Sequence, residues 1–352
     1  MKIRSRAPLR IGLAGGGTDL PVYSDQYGGV VVNATIGMYA YCTIIPTNDN
    51  KIKIYSYDNK NTLETDSVPY LPIDDDHTLI LHKGVYNRIV RDYNGGKPLS
   101  FIMSTSNDAP IGSGLGTSST MVVAILEAYN KWLSLGLNDY QKAQLAYEIE
   151  RIDLNLAGGK QDQYAAVFGG FNLIEFRTDK SVIVNSFRLD KGTKNEFECA
   201  MLLYYSGTDR KSADQQKELA SNIIKDQSSN ASNKQSSTLE AMKKLKEFSY
   251  IMKDCVLVGD FKGFADSLRT IWANKKKTSS IISNQQLEET INYALENGAE
   301  AVKVSGAGGG GFILFYCDPI NRQKLIYALN KLPGTVYPVT FTDHGVESWI
   351  VD

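Results

Sequence analysis

Histidine is nearly missing from this sequence: His77, His82 and His344 are all there is among 352 residues. Chemistry that turns on imidazole, as a base or as a zinc ligand, is therefore poorly supplied, and neither HExxH nor GxSxG occurs. His82, inside a predicted helix, reads as a satisfied histidine and not as a base. Cysteine is sparse too. Cys42, Cys199, Cys255 and Cys317 lack the paired spacing of a zinc site, and Cys42 and Cys317 fall in β-like apolar runs where a thiol behaves as a small hydrophobe. No signal-like apolar region and no run of transmembrane length is seen, so the expectation is a cytoplasmic protein with reduced thiols. Charge of one sign is missing as well: 38 basic residues face 39 acidic ones, for a formal net charge of −1. That balance gives no reason to expect nucleic acid or an acidic membrane as partner. The run Lys275-Lys276-Lys277 reads as a solvated helix end. A Walker-type G-x-x-x-x-G-K-[ST] is absent, and the triple glycine Gly15–Gly17 lacks the G-x-G-x-x-G order of a dinucleotide fingerprint.

What the chain does have is glycine placed just before its regular elements. The stretch from Asp108 to Thr120, DAPIGSGLGTSST, runs straight into the apolar MVVAILEAY. Gly112, Gly114 and Gly116 let the backbone turn and approach a ligand closely. A Gly-rich loop feeding a helix N-terminus aims several N–H groups and the positive end of the helix dipole at one spot, which suits phosphate. The helix is apolar nearly all round and is predicted to be buried. Taken alone, such a loop serves packing as readily as phosphate. Two further glycine-rich stretches favour phosphate: Gly15–Gly17, after a strand over Arg10–Ala14, and SGAGGGG at 305–311.

Around these stretches the pattern alternates strands and helices. VVVNATIG and YAYCTIIP are β-rich, and KIKIYSYD at 51–58 alternates with period two, while residues 59–77 read as a loop. A helix is expected around 81–93, then a strand in PLSFIMSTS. Asn138 with Gln141 forms a capping box, and Leu145, Ile149, Ile152 and Leu156 mark one helical face. FNLIEF, AMLLYYSG, AVKV and FILFYC are strands, SSNASNKQSS at 228–237 is a mobile loop, and Asn284 caps a helix ending near Gly298. A helix over 322–332 and two strands follow. The class is α+β in two lobes.

Three stretches together carry a resemblance. RAPLRIGLAGGGTDL, DAPIGSGLGTSST and KVSGAGGGGFILF stand in the order and at the separations of the three motifs of the galactokinase–homoserine–mevalonate–phosphomevalonate (GHMP) kinase superfamily. The resemblance spans nearly the whole chain. It implies residues 1–190 as a nucleotide-phosphate-binding lobe with a left-handed βαβ unit, and 191–352 as a ferredoxin-like lobe. It also implies an enzyme using ATP and Mg2+ on a small molecule, with a homodimer left open. ERIDLNLAGGKQDQYAAVFGGFNLIEF most resembles the sugar-1-kinases that act on D-glycero-D-manno-heptose 7-phosphate. The implied reaction is phosphorylation of the anomeric hydroxyl to give the 1,7-bisphosphate, for nucleotide-activated heptose synthesis. An L-fucokinase module is similar but more distant, and a decarboxylase or a silent sugar sensor on this fold are further alternatives.

Residue by residue, the resemblance implies phosphate donors in Gly112, Ser113, Gly114, Leu115, Gly116, Thr117, Ser118 and Ser119. Ser118 and Glu150 match the Mg2+ ligands, a hard-oxygen pair suited to that ion. Helical periodicity alone puts Glu150 off the apolar face, as a solvated carboxylate. Glu150 also lies one residue farther from Asp162 than its counterpart in mevalonate kinases. Asp162 matches the aspartate that accepts the sugar hydroxyl's proton, and Arg10 the cation beside it. Thr18 and Asp19 match sugar-binding residues, while Gly16 and Gly17 replace a Glu-His pair of galactokinases and make room for a bulkier sugar. Lys160 and Arg210 are the candidate cations for a phosphate on the sugar.

Overall fold

Strand β1 (Lys2–Ala14) is longer than the predicted Arg10–Ala14, because Ile3, Ser5 and Ala7 already alternate into the core before both faces become buried. In the computed structural model, residues 1–74, 77–110, 112–207, 212–228 and 238–352 are described. The 18-residue β2 (Gly29–Pro46) lies beside β1, preceded by the short helix α1 (Pro21–Tyr27), and it organises the first sheet. With β3 (Lys51–Ser56), β4 (Asn61–Asp66), β5 (Phe101–Asn107) and the last strand, β12 (Glu347–Val351), the sheet order is β12-β1-β2-β5-β3-β4. Strands β6 (Phe171–Phe176) and β7 (Val182–Phe187) continue it along the other half of β2. The parallel pair, β3 with β5, is bridged by helix α2 (Ile80–Tyr93).

Two sequence expectations change here. Residues 59–77 are not all loop, since β4 pairs with β3 in full register. It is an edge strand with no buried position, and its polar NTLETD hides the alternation that burial would print. Nor do residues 191–352 stay in one lobe, because β12 returns to cover the open edge of β1.

Helix α3 (Thr117–Leu133) packs across β1 and β2, and twelve of its residues, from Thr117 to Tyr129, are buried as predicted. Each large apolar side chain so placed contributes about 1.5–3 kcal/mol. Helix α4 (Asp139–Glu148) begins at the predicted Asn138–Gln141 capping box, and a π-helical turn, Ile149–Asp153, extends it. Helix α5 (Gln161–Phe168) follows.

The second sheet is β11-β8-β10-β9, all antiparallel, from β8 (Met201–Tyr205), β9 (Ala301–Val304), β10 (Phe312–Tyr316) and β11 (Thr335–Pro338). Helices α7 (Ser212–Ser228), α8 (Thr238–Val258), α9 (Phe261–Lys276) and α10 (Gln285–Glu296) join β8 to β9, and α11 (Arg322–Leu329) joins β10 to β11. That strand order is the ferredoxin-like one the resemblance implied. Helix α6 (Lys191–Ala200), capped by Asp190, precedes β8 where no helix was predicted. Of the stretch expected to be mobile, Ser228 ends α7 and 229–237 lie outside the described residues. A single apolar cluster runs from Leu9, Ile11 and Leu13 through Met242 and Leu268 to Phe312 and Leu314, so the two sheets share a core. No helix among the described residues is long and apolar enough to cross a membrane.

Candidate active site

The glycine loop sits where the lobes meet. The Arg10 N–H donates to Leu115 O at 3.2 Å, and the Phe312 N–H to Ser113 O at 2.9 Å, so β1 and β10 clamp the loop from two sides. Gly114 has φ +87° and a Cβ there would lie 2.7 Å from Ser305 O, which ties the 305–311 stretch to the loop by direct backbone contact. Helix α3 starts after Gly116 with no side-chain cap, leaving its first N–H groups without that partner. A cavity of about 240 Å3 opens in front of them, lined by Gly112, Gly114, Gly116, Thr117, Ser118 and Ser119 together with Glu150, Arg151, Arg10 and Asp162. Ser113 and Leu115 do not line it. Both are fully buried, and the Ser113 N–H is spent on Pro110 O at 3.3 Å.

Asp162, in the first turn of α5, is held by Arg10. Arg10 Nε donates to Asp162 Oδ1 at 2.8 Å, Nη2 lies 2.6 Å from the same oxygen, and Nη1 donates to Gly114 O at 2.7 Å. Asp162 Oδ2 is left without a hydrogen-bond partner among the described residues. Glu150 is 1% exposed. The π turn swings it inward, where Gln163 Nε2 donates to its Oε2 and Arg151 Nη1 stands 3.7 Å from Oε1. Arg151, which sequence reasoning passed over, also reaches Ala157 O at 3.1 Å and Gly159 O at 3.4 Å, bracing the loop before α5.

A second cavity shares Arg10, Asp162, Gln216, Gly306 and Ala307 with the first and is lined besides by Gly16, Gly17, Asp19, Gln215 and Lys275, none of which lines the first. Asp19 Oδ1 accepts from the Gly17 N–H and from Gln161 Nε2, both at 3.0 Å. A Cβ on Gly159 would fall 1.9 Å from Asp19 Oδ2, so that glycine is what lets the carboxylate reach its place. Gln215 and Gln216 carry buried side-chain oxygens with no partner among the described residues.

The sequence-stretch assignments on this side divide. Thr18 is fully buried, and its hydroxyl donates to Val30 O at 2.9 Å while accepting from the Val30 N–H at 3.0 Å, so it fastens β1's end to β2 and has nothing left for a ligand. Lys160 is buried against Asp25 at 3.3 Å, with Tyr147 5.7 Å away, and lines neither cavity. Arg210 lies outside the described residues. Lys275 overturns the solvated reading of its run. It is buried, donates to Gly16 O at 2.9 Å, and loss of hydration pushes its ammonium down to about 8 despite Asp19 nearby. Its signal was present in the sequence, because Phe264, Leu268, Ile271 and Lys275 continue one stripe of α9.

A third cavity, about 200 Å3, adjoins the α3 N-terminus at Thr117 and Ser118. Leu79, Ile80, Leu81, Met121 and Leu156 make it apolar, and two buried atoms without partners among the described residues, Asn107 Oδ1 and His82 Nδ1, belong to residues that line it. His82 is satisfied on one side only, by Thr105 Oγ1 at 2.8 Å, and burial pushes it down to about 4, so it is neutral at physiological pH.

Comparison with known proteins gives a consistent picture. The family description "GHMP kinases N terminal domain" matches residues 81–170, and "GHMP kinases C terminal" matches 241–333. The chain is 44% identical over 347 residues, 99% of its own length and 98% of the other's, to D-glycero-alpha-D-manno-heptose 7-phosphate kinase of Campylobacter jejuni. Its structure is similar to that of a D-glycero-D-manno-heptose 1-phosphate kinase from Bacteroides thetaiotaomicron, with TM-score 0.84, 44% identity and 99% of each chain covered. Lactococcus lactis galactokinase complexed with galactose shares the fold at TM-score 0.75 and 17% identity, over 98% of this chain and 95% of that one.

Proposed function

This chain belongs to the GHMP kinase family, and we propose that it transfers the γ-phosphoryl group of ATP to the anomeric hydroxyl of D-glycero-D-manno-heptose 7-phosphate. The observation that carries this reading is that Arg10 and Asp162 line both the glycine-loop cavity and the cavity past Gly16 and Gly17. A donor in one and an acceptor in the other would meet at that pair. The two heptose kinase relatives carry the phosphate at different positions in their names, 7 and 1. We read the first as the acceptor's own phosphate and the second as the one added.

In this assignment the uncapped α3 N-terminus and the glycine loop cradle the triphosphate. The apolar cavity beside Thr117 takes the base, with Asn107 Oδ1 and His82 Nδ1 offered to its polar edge. Gln215, Gln216 and Asp19 accept from the sugar hydroxyls, and Asp162 Oδ2 takes the proton of the attacking one. Arg10, fixed by Gly114 O and Asp162, counters charge on the group in transit.

The residues present fit Mg2+. Ser118 and Glu150 line one cavity and offer a hydroxyl and a carboxylate, both hard oxygen donors. Among the described residues no three His, Cys, Asp or Glu side chains gather as a metal cage, so the ion would arrive on the polyphosphate, as Mg2+ does in phosphoryl-transfer sites. When bound there it would draw charge from the β and γ phosphates. Ser118→Ala is expected to raise the Mg2+ concentration needed for half-maximal rate by about 10-fold, with a smaller change at saturating Mg2+. An unaltered magnesium titration would remove Ser118 from this role.

The decisive assay supplies ATP with heptose 7-phosphate, free heptose and L-fucose separately, and identifies the product by 31P NMR. A new anomeric phosphate on heptose 7-phosphate is expected. Turnover of L-fucose without turnover of heptose 7-phosphate would overturn the assignment.

A further inference from the structure

Behind the acceptor cavity lies a buried lysine that no carboxylate among the described residues pairs with. Lys303 is on β9, on the side of the second sheet that faces β1: Ala301 shares its face and belongs to the core common to both sheets, whereas Val302 and Val304 point into the outer core. The residue is only 6% exposed, and its Nζ lies 3.8 Å from where a Cβ on Gly12 would stand, next to Gln161 Oε1 at 3.7 Å from the same point. Among the described residues no carboxylate pairs with it. The charged groups that bear on it are Arg10 from β1 and Lys275 from α9, both of its own sign. Burying an unpaired ammonium is costly, and placing it beside two more cations adds to that cost. Of the carboxylates that line the acceptor cavity, Asp162 is paired with Arg10, while Asp19, held by the neutral Gln161 amide and the Gly17 N–H, bears on Lys275.

We infer that Lys275, backed by Lys303, is the subsite for a phosphate carried by the acceptor itself. Location separates this from a role toward ATP. Lys275 lines only the cavity that runs past Gly16 and Gly17, and not the one in front of the glycine loop. A phosphate there would meet Lys275 beside Gly16 and Gly17, among residues that do not line the glycine-loop cavity, with Asp162 left to the anomeric end of the sugar. Lys275 would touch the phosphate. Lys303 is a positioning residue, whose charge is felt through Lys275 and whose own charged form is held back by burial until an anion arrives, its ammonium being pushed down to about 7.

The inference rests on the proposed acceptor, and the test separates the two. KM is measured for heptose 7-phosphate and for free heptose, and separately for ATP, in the parent protein, Lys275→Met, Lys275→Arg and Lys303→Met. A strong preference of the parent for the phosphorylated acceptor supports the reading, and no preference overturns it. Given that preference, Lys275→Met should cut the ratio of the two KM values by about 10- to 100-fold, with Lys275→Arg recovering part of it. An unchanged ratio, or a rise confined to KM for ATP, overturns the inference alone. For Lys303 the readout is proton uptake when heptose 7-phosphate binds at pH 8, taken from calorimetry in two buffers of different ionisation enthalpy. Uptake should fall in Lys303→Met to the part that Lys275, itself pushed down to about 8, supplies, and uptake equal to the parent's would rule Lys303 out.

Discussion

Asp162→Asn is expected to lower kcat by about 1,000-fold while KM for ATP changes less than about 3-fold, within the range that proton transfer by a placed side chain supplies. Asparagine keeps the shape that fits under Gly116, where a Cβ would lie 3.2 Å from Asp162 Cγ. It can still accept from Arg10 through its amide oxygen, so the glycine loop keeps its tie from Arg10 Nη1 to Gly114 O. What goes is the negative charge and the second oxygen, the one with no protein partner. Carboxylates are weak bases. The proton therefore leaves the sugar late, and part of the rate survives through alignment of the two substrates. Steady-state kinetics at saturating ATP, with a melting curve to exclude unfolding, checks this. A variant within a few-fold of the parent kcat would take Asp162 out of the chemistry.

The glycine loop was legible in the sequence, because glycine before a buried helix is a backbone requirement that only a few residue types meet, whereas the Arg10–Asp162 pair and the packing of 305–311 against the loop were legible only through the family resemblance. The acceptor side was less legible, for a definite reason. Matching by motif gave Thr18 and Asp19 equal weight, yet in the turn that follows β1 their side chains part. Asp19 faces the cavity, and Thr18 faces β2 and closes two hydrogen bonds there. Lys160 looked suitable by nearness to Asp162 in sequence, but α5 begins between them and turns Lys160 toward Asp25. The cations that do sit at that end, Lys275 and Lys303, come from α9 and β9, and lie more than a hundred residues away. Only the tertiary fold brings them to β1.

Glu150 shows the same limit at the scale of one turn. With 3.6 residues per turn, Ile152 belongs to the face of Leu145 and Ile149, and Glu150 faces solvent. The structure reverses both: Ile152 is 65% exposed and Glu150 is buried. The Leu154 N–H donates to Ile149 O at 3.0 Å, five residues back, so this turn is wider than an α turn. Periodicity failed here because the period itself changes.

That geometry makes Glu150→Gln the sharper test of the metal assignment. The substitution keeps volume and removes the charge. Arg151 is not stranded by it, since Ala157 O, Gly159 O and Ser119 Oγ remain as acceptors. Gln163 Nε2 keeps Ser119 Oγ at 3.1 Å and can still meet an amide oxygen at position 150. A buried carboxylate that served only the fold through these contacts would cost stability when neutralised. One that is there to hold a cation is a burden to the empty protein, and its neutralisation should leave the melting temperature equal or higher. The expected outcome is therefore a split. Without nucleotide, Glu150→Gln melts no lower than the parent, while its Mg2+ requirement in the assay rises by about 100-fold, the upper end of what is lost on disturbing a metal's surroundings. A lower melting temperature with an unchanged magnesium titration would make Glu150 a fold residue, and would leave Ser118 without its partner on the ion.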